Sequence, residues 1–205
     1  MLLVQLFPDG GSLSSAAARL WQHPQMLSEI AQLFEVLVTR IPHVPIPLTI
    51  LPEVPLTVHA RYTRIELLAA AGMDDRVKVR PWREGALYDQ DLRADFFVFT
   101  LDKTSGQFSP TTRYKDFAIS RELIHWESQS TTTASSPTGR RYQNHVAMGN
   151  HILLFARLRA DDRAFVFLGP ASYVSHVGEL PMAITWRLHR PLPGDLFQQF
   201  AAAVA

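Results

Sequence analysis

Apolar residues in the first quarter of the chain recur with helical spacing. Ser12 or Ser14 is placed to cap a short helix that runs to Trp21, and Pro24 lies where the first turn of a second helix tolerates proline. In that second helix one apolar stripe recurs at three- and four-residue steps over about four turns. The stripe consists of Leu27, Ile30, Phe34, Leu37 and Ile41. We expect it to pack against the next element of the domain, with a regulatory partner helix as the alternative.

Five prolines interrupt the stretch from Pro42 to Pro55, so neither a helix nor a central strand can run through it. This pattern is typical of an extended connector. We therefore expect a boundary near residue 55, with a helical extension and connector over 1–55 and a second region over 56–205. After the connector, Thr63 and Glu66 have the spacing of a capping box, and Gly72 is placed to end that helix.

Beyond Trp82 the apolar residues come in short runs bounded by turn residues, which is typical of strands. Strands are predicted over 94–102, 151–158, 163–169, 171–178 and 181–188, and Asp195 is predicted to cap a closing helix. The strands at 151–158 and 163–169 are expected to form a hairpin. This order predicts an α+β fold with a small curved or barrel-like, mostly antiparallel sheet, a few short helices and an N-terminal helical extension.

Composition and charge limit the possible classes. Hydrophobic residues make up 47% of the 205 and charged residues 19%, as in a folded globular chain. The net charge of +1 provides no global basic field, so a polyanion would have to be held by a local patch. The absence of cysteine excludes disulfides, thiolate nucleophiles and cysteine-based zinc sites. We expect a cytoplasmic, reducing setting. The sequence contains no run of about 18 apolar residues, so it predicts no membrane-spanning helix.

Few features of the sequence indicate a catalytic site. His125 and Glu127 form the H-x-E pair of zinc deaminases, but the cysteines that complete that site are missing. His125, His145, His151 and His176 lack the i, i+4 spacing of a helical metal motif. No G-x-S-x-G elbow, phosphate-binding loop or dinucleotide fingerprint is present. We expect no cofactor, no metal and no catalysis by this chain alone, although an enzyme acting on a nucleotide remains a third and weaker alternative.

The stretch from Phe108 to His145 combines aromatic, amide, hydroxyl and cationic side chains between strand-like segments. Such connectors on a rigid scaffold often bind ligands. Rings stack on bases and guanidinium groups pair with phosphates, so this chemistry favours a nucleic acid. The competing interpretation is that the rings are core and the arginines form surface ion pairs. Asp116 within the aromatic run favours binding, because a carboxylate can accept from the exocyclic amine of cytosine and rings can enclose an extruded base.

Several phrases of the sequence resemble a known family. These are ARYTRIELLAA, FFVFTLDK, FSPTTRYKDFAIS, LIHWESQSTTTASSPTGRRY, FLGPASYVSHVGELPMAITWRL and PLPGDLF. They look like the C-terminal domain of unknown function that follows phospholipase-D-like nuclease and superfamily II helicase modules in bacterial modification-dependent (type IV) restriction-type proteins. The resemblance covers roughly residues 59–197, and residues 13–41 are similar to the helical piece that joins the ATPase to that domain.

The resemblance implies an SRA/PUA-like target-recognition domain that flips a modified cytosine, 5-methyl or 5-hydroxymethyl, into a pocket. On that basis the expected base pocket consists of Tyr114, Asp116, Phe117, Trp126, Gln129 and Tyr173. The expected contacts to the DNA backbone are Arg113, Lys115, Thr131, Arg140 and Arg141. The implied partners are modified double-stranded DNA and ATPase and nuclease modules, in cis or in trans, because this chain has neither a nuclease nor an ATPase motif. The alternative is a non-catalytic coupling or scaffold domain that contacts those modules.

Overall fold

A computed structural model describes residues 2–7, 11–40, 44, 46–73, 80–82, 84–101 and 116–203. Six helices lie in these ranges: α1 (Leu2–Leu6), α2 (Leu13–Trp21), α3 (Pro24–Val38), α4 (Arg64–Ala70), α5 (Pro137–Gln143) and α6 (Gly194–Ala202). The same ranges contain ten strands: β1 (Ile46–Pro47), β2 (Thr57–Val58), β3 (Arg61–Thr63), β4 (Ala86–Asp89), β5 (Ala94–Thr100), β6 (Phe117–Ala118), β7 (Leu123–Glu127), β8 (His151–Arg157), β9 (Ala164–Val177) and β10 (Ala183–Leu188).

Eight strands form one sheet, in the order β4-β5-β8-β9-β10-β7-β6, with β3 also paired to β9. Every pairing in this sheet is antiparallel except that of β5 with β8. The predicted α+β class with a mostly antiparallel sheet is therefore confirmed. The parallel pair was not predicted, because β5 and β8 are separated in sequence by β6, β7 and α5, and pairing across such a distance leaves no local signal.

Both faces of the sheet are covered. Along β5, Phe97 and Phe99 join a core cluster that contains Trp126 and Trp186, whereas Phe96 and Val98 join a second cluster on the opposite face. All seven residues of β5 are buried. A strand enclosed on both faces is hydrophobic throughout rather than alternating, and this explains why residues 94–102 were correctly predicted as a strand.

Most of the predicted elements are present. Ser12 caps α2, Pro24 begins α3, and Thr63 and Glu66 form the predicted capping box of α4. The closing helix α6 is also present, with Pro193 at the N-cap position and Asp195 in the first turn rather than at the cap. These signals were reliable because each rests on neighbouring residues alone.

The two strands predicted over 163–169 and 171–178 are in fact one strand, β9, of 14 residues. Gly169 adopts a φ of +103°, and Pro170 stays in the ladder opposite Leu153 next to a register shift between Leu154 and Phe155. The irregular pairing accommodates a residue that has no N–H to donate. The boundary predicted at this Gly-Pro pair was therefore wrong.

The Pro-rich connector packs onto the sheet. Residues 46–47 pair with β2, and Leu48, Leu51 and Val54 are buried in the second core cluster. By contrast, no residue of α3 is buried, and Phe34 and Leu37 are 47% and 45% exposed. The expectation that the α3 stripe packs into the domain core is wrong for the residues that the structure describes, since α3 packs against α2 rather than the sheet. Ile41 lies outside the described residues.

Candidate functional site

A polar cavity of about 260 Å³ opens where α5 faces the first residues of β4 and β5. Its lining consists of Glu84, Ala86, Tyr88, Asp95, Gln129, Thr131, Thr132, Thr138, Arg141 and Tyr142. Strand β5 contributes Asp95, helix α5 contributes Thr138, Arg141 and Tyr142, and the turn after β7 contributes Gln129, Thr131 and Thr132. The cavity therefore lies between the edge of the sheet and the described part of the polar and aromatic stretch from Phe108 to His145.

A buried ion pair forms one side of this cavity. The Nε atom of Arg141 donates to Oδ2 of Asp95 at 2.8 Å, and its second guanidinium nitrogen donates to Oδ1 at 2.9 Å. The Asp95 side chain is 1% exposed and that of Arg141 is 17% exposed. The guanidinium carbon also lies 4.0 Å from the centre of the Tyr88 ring. This arrangement fixes a planar cation, a carboxylate and an aromatic ring relative to one another.

Burial determines the direction of the pKa shift for Asp95 but not for Arg141. It raises the pKa of the Asp95 carboxyl, while the hydrogen bond and positive charge of Arg141 oppose that rise. Burial lowers the pKa of Arg141, but the hydrogen bond and charge of Asp95 outweigh it and the pKa is raised. The pKa of the neighbouring Tyr142 hydroxyl is also raised, first by burial and then by the charge of Asp95. Tyr142 is therefore a neutral phenol near pH 7, and the ion pair carries the local charge.

The turn opposite the ion pair is held rigidly. Ser128 and Met182 exchange two hydrogen bonds, since Ser128 N–H donates to Met182 O at 3.0 Å and Met182 N–H donates to Ser128 Oγ at 2.9 Å. Ser136 caps α5 by accepting from Gly139 N–H at 3.0 Å. A Cβ atom at Gly139 would lie 2.0 Å from the carbonyl oxygen of Thr133, so only glycine permits this approach of helix and turn.

Three predicted site residues, Gln129, Thr131 and Arg141, line this one cavity. The structure places Arg141 differently from the expectation, because its guanidinium is bound to Asp95 and is not free to pair with a phosphate. Arg140, the next residue of α5, is exposed. Within the described ranges no carboxylate forms an ion pair with Arg140.

The other described candidates for the base pocket lie outside this cavity. Trp126 is 4% exposed, and its ring stacks on Phe97 with the centroids 4.2 Å apart, which makes it a core residue rather than a surface for a base. Phe117 stacks on His125. Asp116 is 3% exposed and accepts from Glu127 N–H at 2.9 Å, a contact between the ends of β6 and β7. Tyr173 donates to or accepts from His176 Nδ1 at 2.7 Å.

The remaining candidates are Arg113, Tyr114 and Lys115. All three lie outside the described residues, so their predicted roles stay predictions.

Tyr88 and Asp95 were not identified from the sequence. Asp95 is the only charged residue within the run ADFFVFT, and a charge inside a fully buried strand needs a partner. This feature could have singled out Asp95, whereas Tyr88 carries no comparable signal. In the part of the chain that the structure describes, no group of three or more histidine or acidic side chains could hold a metal ion, and no helix there is long and apolar enough to span a bilayer.

The described residues form an α+β domain with a polar cavity, flanked by aromatic rings, at the edge of its main sheet. The chain belongs to the family described as a domain of unknown function, DUF3427, whose family model matches residues 56–200. No curated protein matches the sequence.

Solved structures of SRA domains show a distant likeness. The SUVH5 SRA domain in complex with methylated CHH DNA is 14% identical, with a TM-score of 0.44 over 66% of this chain and 92% of that one. The SUVH5 SRA domain bound to fully hydroxymethylated CG DNA is 15% identical, with a TM-score of 0.42 over 72% and 97%. SUVH6 of Arabidopsis thaliana, in complex with SAM, is 15% identical with a TM-score of 0.44, and the match covers 74% of this chain but 29% of SUVH6.

Proposed function

We propose that this chain is a DNA-binding recognition module that flips a modified base, 5-methyl- or 5-hydroxymethylcytosine, into the cavity beside Asp95. The observation that supports this proposal best is the buried Asp95–Arg141 pair, both members of which line the polar cavity. A desolvated charge beside a cavity is a feature of binding sites.

The cavity supplies the groups that a flipped cytosine needs. Asp95 has acceptor lone pairs beyond the two used by Arg141 and can accept from the exocyclic amine of the base. Tyr88, half-buried at the rim, provides a ring on which the base can stack. Gln129 and Thr131 provide amide and hydroxyl groups on the opposite wall. The acceptor role is thereby assigned to Asp95 in place of Asp116.

The backbone contact in this proposal is Arg140, which is exposed on α5 beside the cavity. A side chain at this position can pair with a phosphate flanking the flipped nucleotide. Arg113 and Lys115 keep their proposed backbone roles and Tyr114 its proposed stacking role. We further propose that the module serves a helicase and nuclease restriction machine, with residues 1–55 as the extension that joins it to those modules.

The test is fluorescence anisotropy with matched duplexes that carry cytosine, 5-methylcytosine, 5-hydroxymethylcytosine or N6-methyladenine, at two salt concentrations. We expect one modified-cytosine duplex to bind tighter than the others at both salt concentrations. Asp95→Asn should reduce that preference by about 1–3 kcal/mol, because the amide presents an N–H where the base amine needs an acceptor. Asp161→Asn is the matched control, since it removes one partner of the exposed pair with Arg159. Equal affinity of the wild-type chain for all four duplexes would refute base recognition.

Arg140→Ala tests the backbone contact separately. It should weaken binding to every duplex alike and lower the slope of log K against log salt by about 1. Arg187→Ala, at another exposed arginine, which pairs with Glu122, serves as its control. An unchanged affinity and slope would remove Arg140 from the interface.

One observation favours a second candidate function, that of a coupling domain. The exposed apolar side chains of α3, with Leu33 at 54% and Val38 at 66%, could contact an ATPase or nuclease module. If coupling were the sole function, the chain would bind none of the four duplexes. Phe34→Glu would then reduce association with those modules without changing the stability of the sheet.

A further inference from the structure

A second cavity, of about 220 Å³, lies where the segment after α5 meets the start of β8 and the middle of β9. Its polar lining comes from His145, Asn150, His151 and His189, and the rest of the wall is apolar. None of these residues lines the cavity beside Asp95. Three histidines at one small cavity require an explanation that the proposed base pocket does not provide.

His145 has a structural role here. Its side chain is buried, its Nδ1 lies 3.3 Å from the carbonyl oxygen of Asn150, and its Nε2 accepts from Tyr173 N–H at 3.1 Å. These two partners require the neutral tautomer with the proton on Nδ1. Both ring nitrogens are therefore occupied, and His145 holds the 144–150 segment against β9 without being able to bind a ligand.

His151 and His189 differ from His145 in this respect. The His151 ring makes no side-chain hydrogen bond within the described ranges, and His189 uses only Nε2, which lies 2.8 Å from Ser172 Oγ. Each ring thus keeps hydrogen-bonding capacity at a cavity that opens to solvent. Ser172 Oγ can donate to Nε2, which leaves the proton of His189 on Nδ1, where it is available to an acceptor.

A fixed cation adjoins the same cavity. Arg93 donates to the carbonyl oxygen of Met148 and, at 3.5 Å, to Oδ1 of Asn150. Both acceptors are uncharged, and among the described residues no carboxylate forms an ion pair with Arg93. A guanidinium nitrogen of Arg93 lies close to Gly149, which lines the cavity, since a Cβ there would be 3.7 Å from it.

We propose that this cavity binds a phosphate group, with Arg93 as the permanent charge and the rings of His151 and His189 as donors. A metal ion does not fit, because no group of three described metal-ligating side chains has a suitable arrangement. The volume is below the roughly 300–1,000 Å³ of typical sites for drug-sized ligands, so a small anion suits it better. The group can belong to free inorganic phosphate or to the backbone of a nucleic acid.

Binding at this cavity should be linked to protons. Burial lowers the pKa of both His151 and His189, so both rings are neutral at pH 7.5. Four charged or titratable groups face His151: Glu53, which raises its pKa, Arg93, which lowers it, and the two other histidines, His145 and His189. His189 faces His151 and His145. A bound anion favours the protonated rings, and affinity should therefore increase as the pH falls below about 6.5.

The test is an NMR titration of the whole chain at pH 6.0, which follows the Cε1–H signals of the histidine rings. Sodium phosphate is the titrant, and sodium chloride at matched ionic strength is the control. Saturable shifts are expected for His151 and His189, together with a rise in both of their pKa values in phosphate. The exposed His23 should not respond. Arg93→Gln should weaken phosphate binding by about tenfold, because it removes the positive charge beside the cavity, next to Gly149 of its lining. His176→Asn, which alters a histidine outside the cavity, should leave it unchanged.

A further titration with an unmodified duplex identifies the source of the phosphate group. If an unmodified duplex shifts the same two signals and displaces inorganic phosphate, the cavity binds a phosphodiester of the DNA backbone. If only inorganic phosphate shifts them, it is a site for the free ion. The proposal is overturned if phosphate and chloride have the same effect, or if the His151→Asn, His189→Asn double variant binds phosphate as the parent does. Neither result depends on whether the cavity beside Asp95 binds a base.

Discussion

The Asp95–Arg141 pair leads to a quantitative prediction about stability, because its two members are buried to different extents. Arg141→Gln leaves a carboxylate with 1% of its side chain exposed and without a cationic partner. Breaking a buried pair in this way costs about 3–5 kcal/mol of unfolding free energy. Asp95→Asn leaves a guanidinium that is 17% exposed and lies beside an open cavity, so we expect a smaller cost, about 1–3 kcal/mol.

The cost of Arg141→Gln should also depend on pH. Burial already raises the pKa of Asp95 in the folded chain, and removing Arg141 abolishes the hydrogen bond and charge that oppose the rise. With a folded pKa above its ordinary value near 3.8, the native state holds the Asp95 proton more tightly than the unfolded state does. The variant should therefore recover stability, relative to the parent, as the pH is lowered from 7.5 to 5.

The assay is urea unfolding followed by tryptophan fluorescence at pH 7.5 and 5.0, for the parent, both single variants and the double variant. The double variant should be more stable at pH 7.5 than Arg141→Gln alone, because it contains neither charge. Arg159→Gln, in the exposed pair with Asp161, is the control and should change stability by less than about 1 kcal/mol. Equal and pH-independent costs for the two single variants would refute the reasoning, since the carboxylate would then be solvated.

Three further predictions concern His145, Gly139 and Trp126. Lowering the pH should destabilise the parent chain below about pH 6.5, because burial lowers the pKa of His145 and only the neutral ring makes both hydrogen bonds of the folded state. Urea unfolding of His145→Gln should show a flatter dependence of stability on pH. Gly139→Ala should cost about 1–3 kcal/mol in thermal unfolding even though alanine favours helices, whereas Gly194→Ala, where a Cβ meets open space, should be neutral or stabilising. Trp126→Ala should cost about 3–5 kcal/mol of stability, and anisotropy on the folded fraction should show unchanged DNA preference, since the ring belongs to the core.

The sequence predicted those parts of the fold that depend on neighbouring residues. The continuous apolar runs of β5 and β8 and the capping box at Thr63 and Glu66 each fix a local conformation. The parallel pairing of β5 with β8 was missed because pairing partners far apart in sequence leave no periodic signal. The single strand through Pro170 was missed because the irregular pairing that tolerates this proline is a property of the sheet, not of the local sequence.

The candidate site was only partly predicted for a similar reason. Gln129 was predicted for the base pocket, and Thr131 and Arg141 were predicted for backbone contacts. All three line one cavity, but the carboxylate that Arg141 binds lies 46 residues before it in the chain. Trp126 could have been assigned to the core, because Ile124 and Trp126 alternate with His125 and Glu127 along β7 and share one face of the strand. An aromatic residue in a polar stretch was interpreted as a ligand contact where the strand period indicated packing.

The position of Asp95 argues for a function at this cavity rather than for stability alone. A buried ion pair is often no more stabilising than apolar side chains of similar volume, because desolvation offsets the attraction between the charges. Every other residue of β5 before its last is apolar, and a further apolar residue at position 95 would suit a strand enclosed by two core clusters. The carboxylate and its arginine instead border an open cavity together with Tyr88, and in the proposed function they form directional contacts with the base. A chain selected only for stability would gain little from this arrangement, whereas a base reader needs a fixed acceptor at the wall of its pocket.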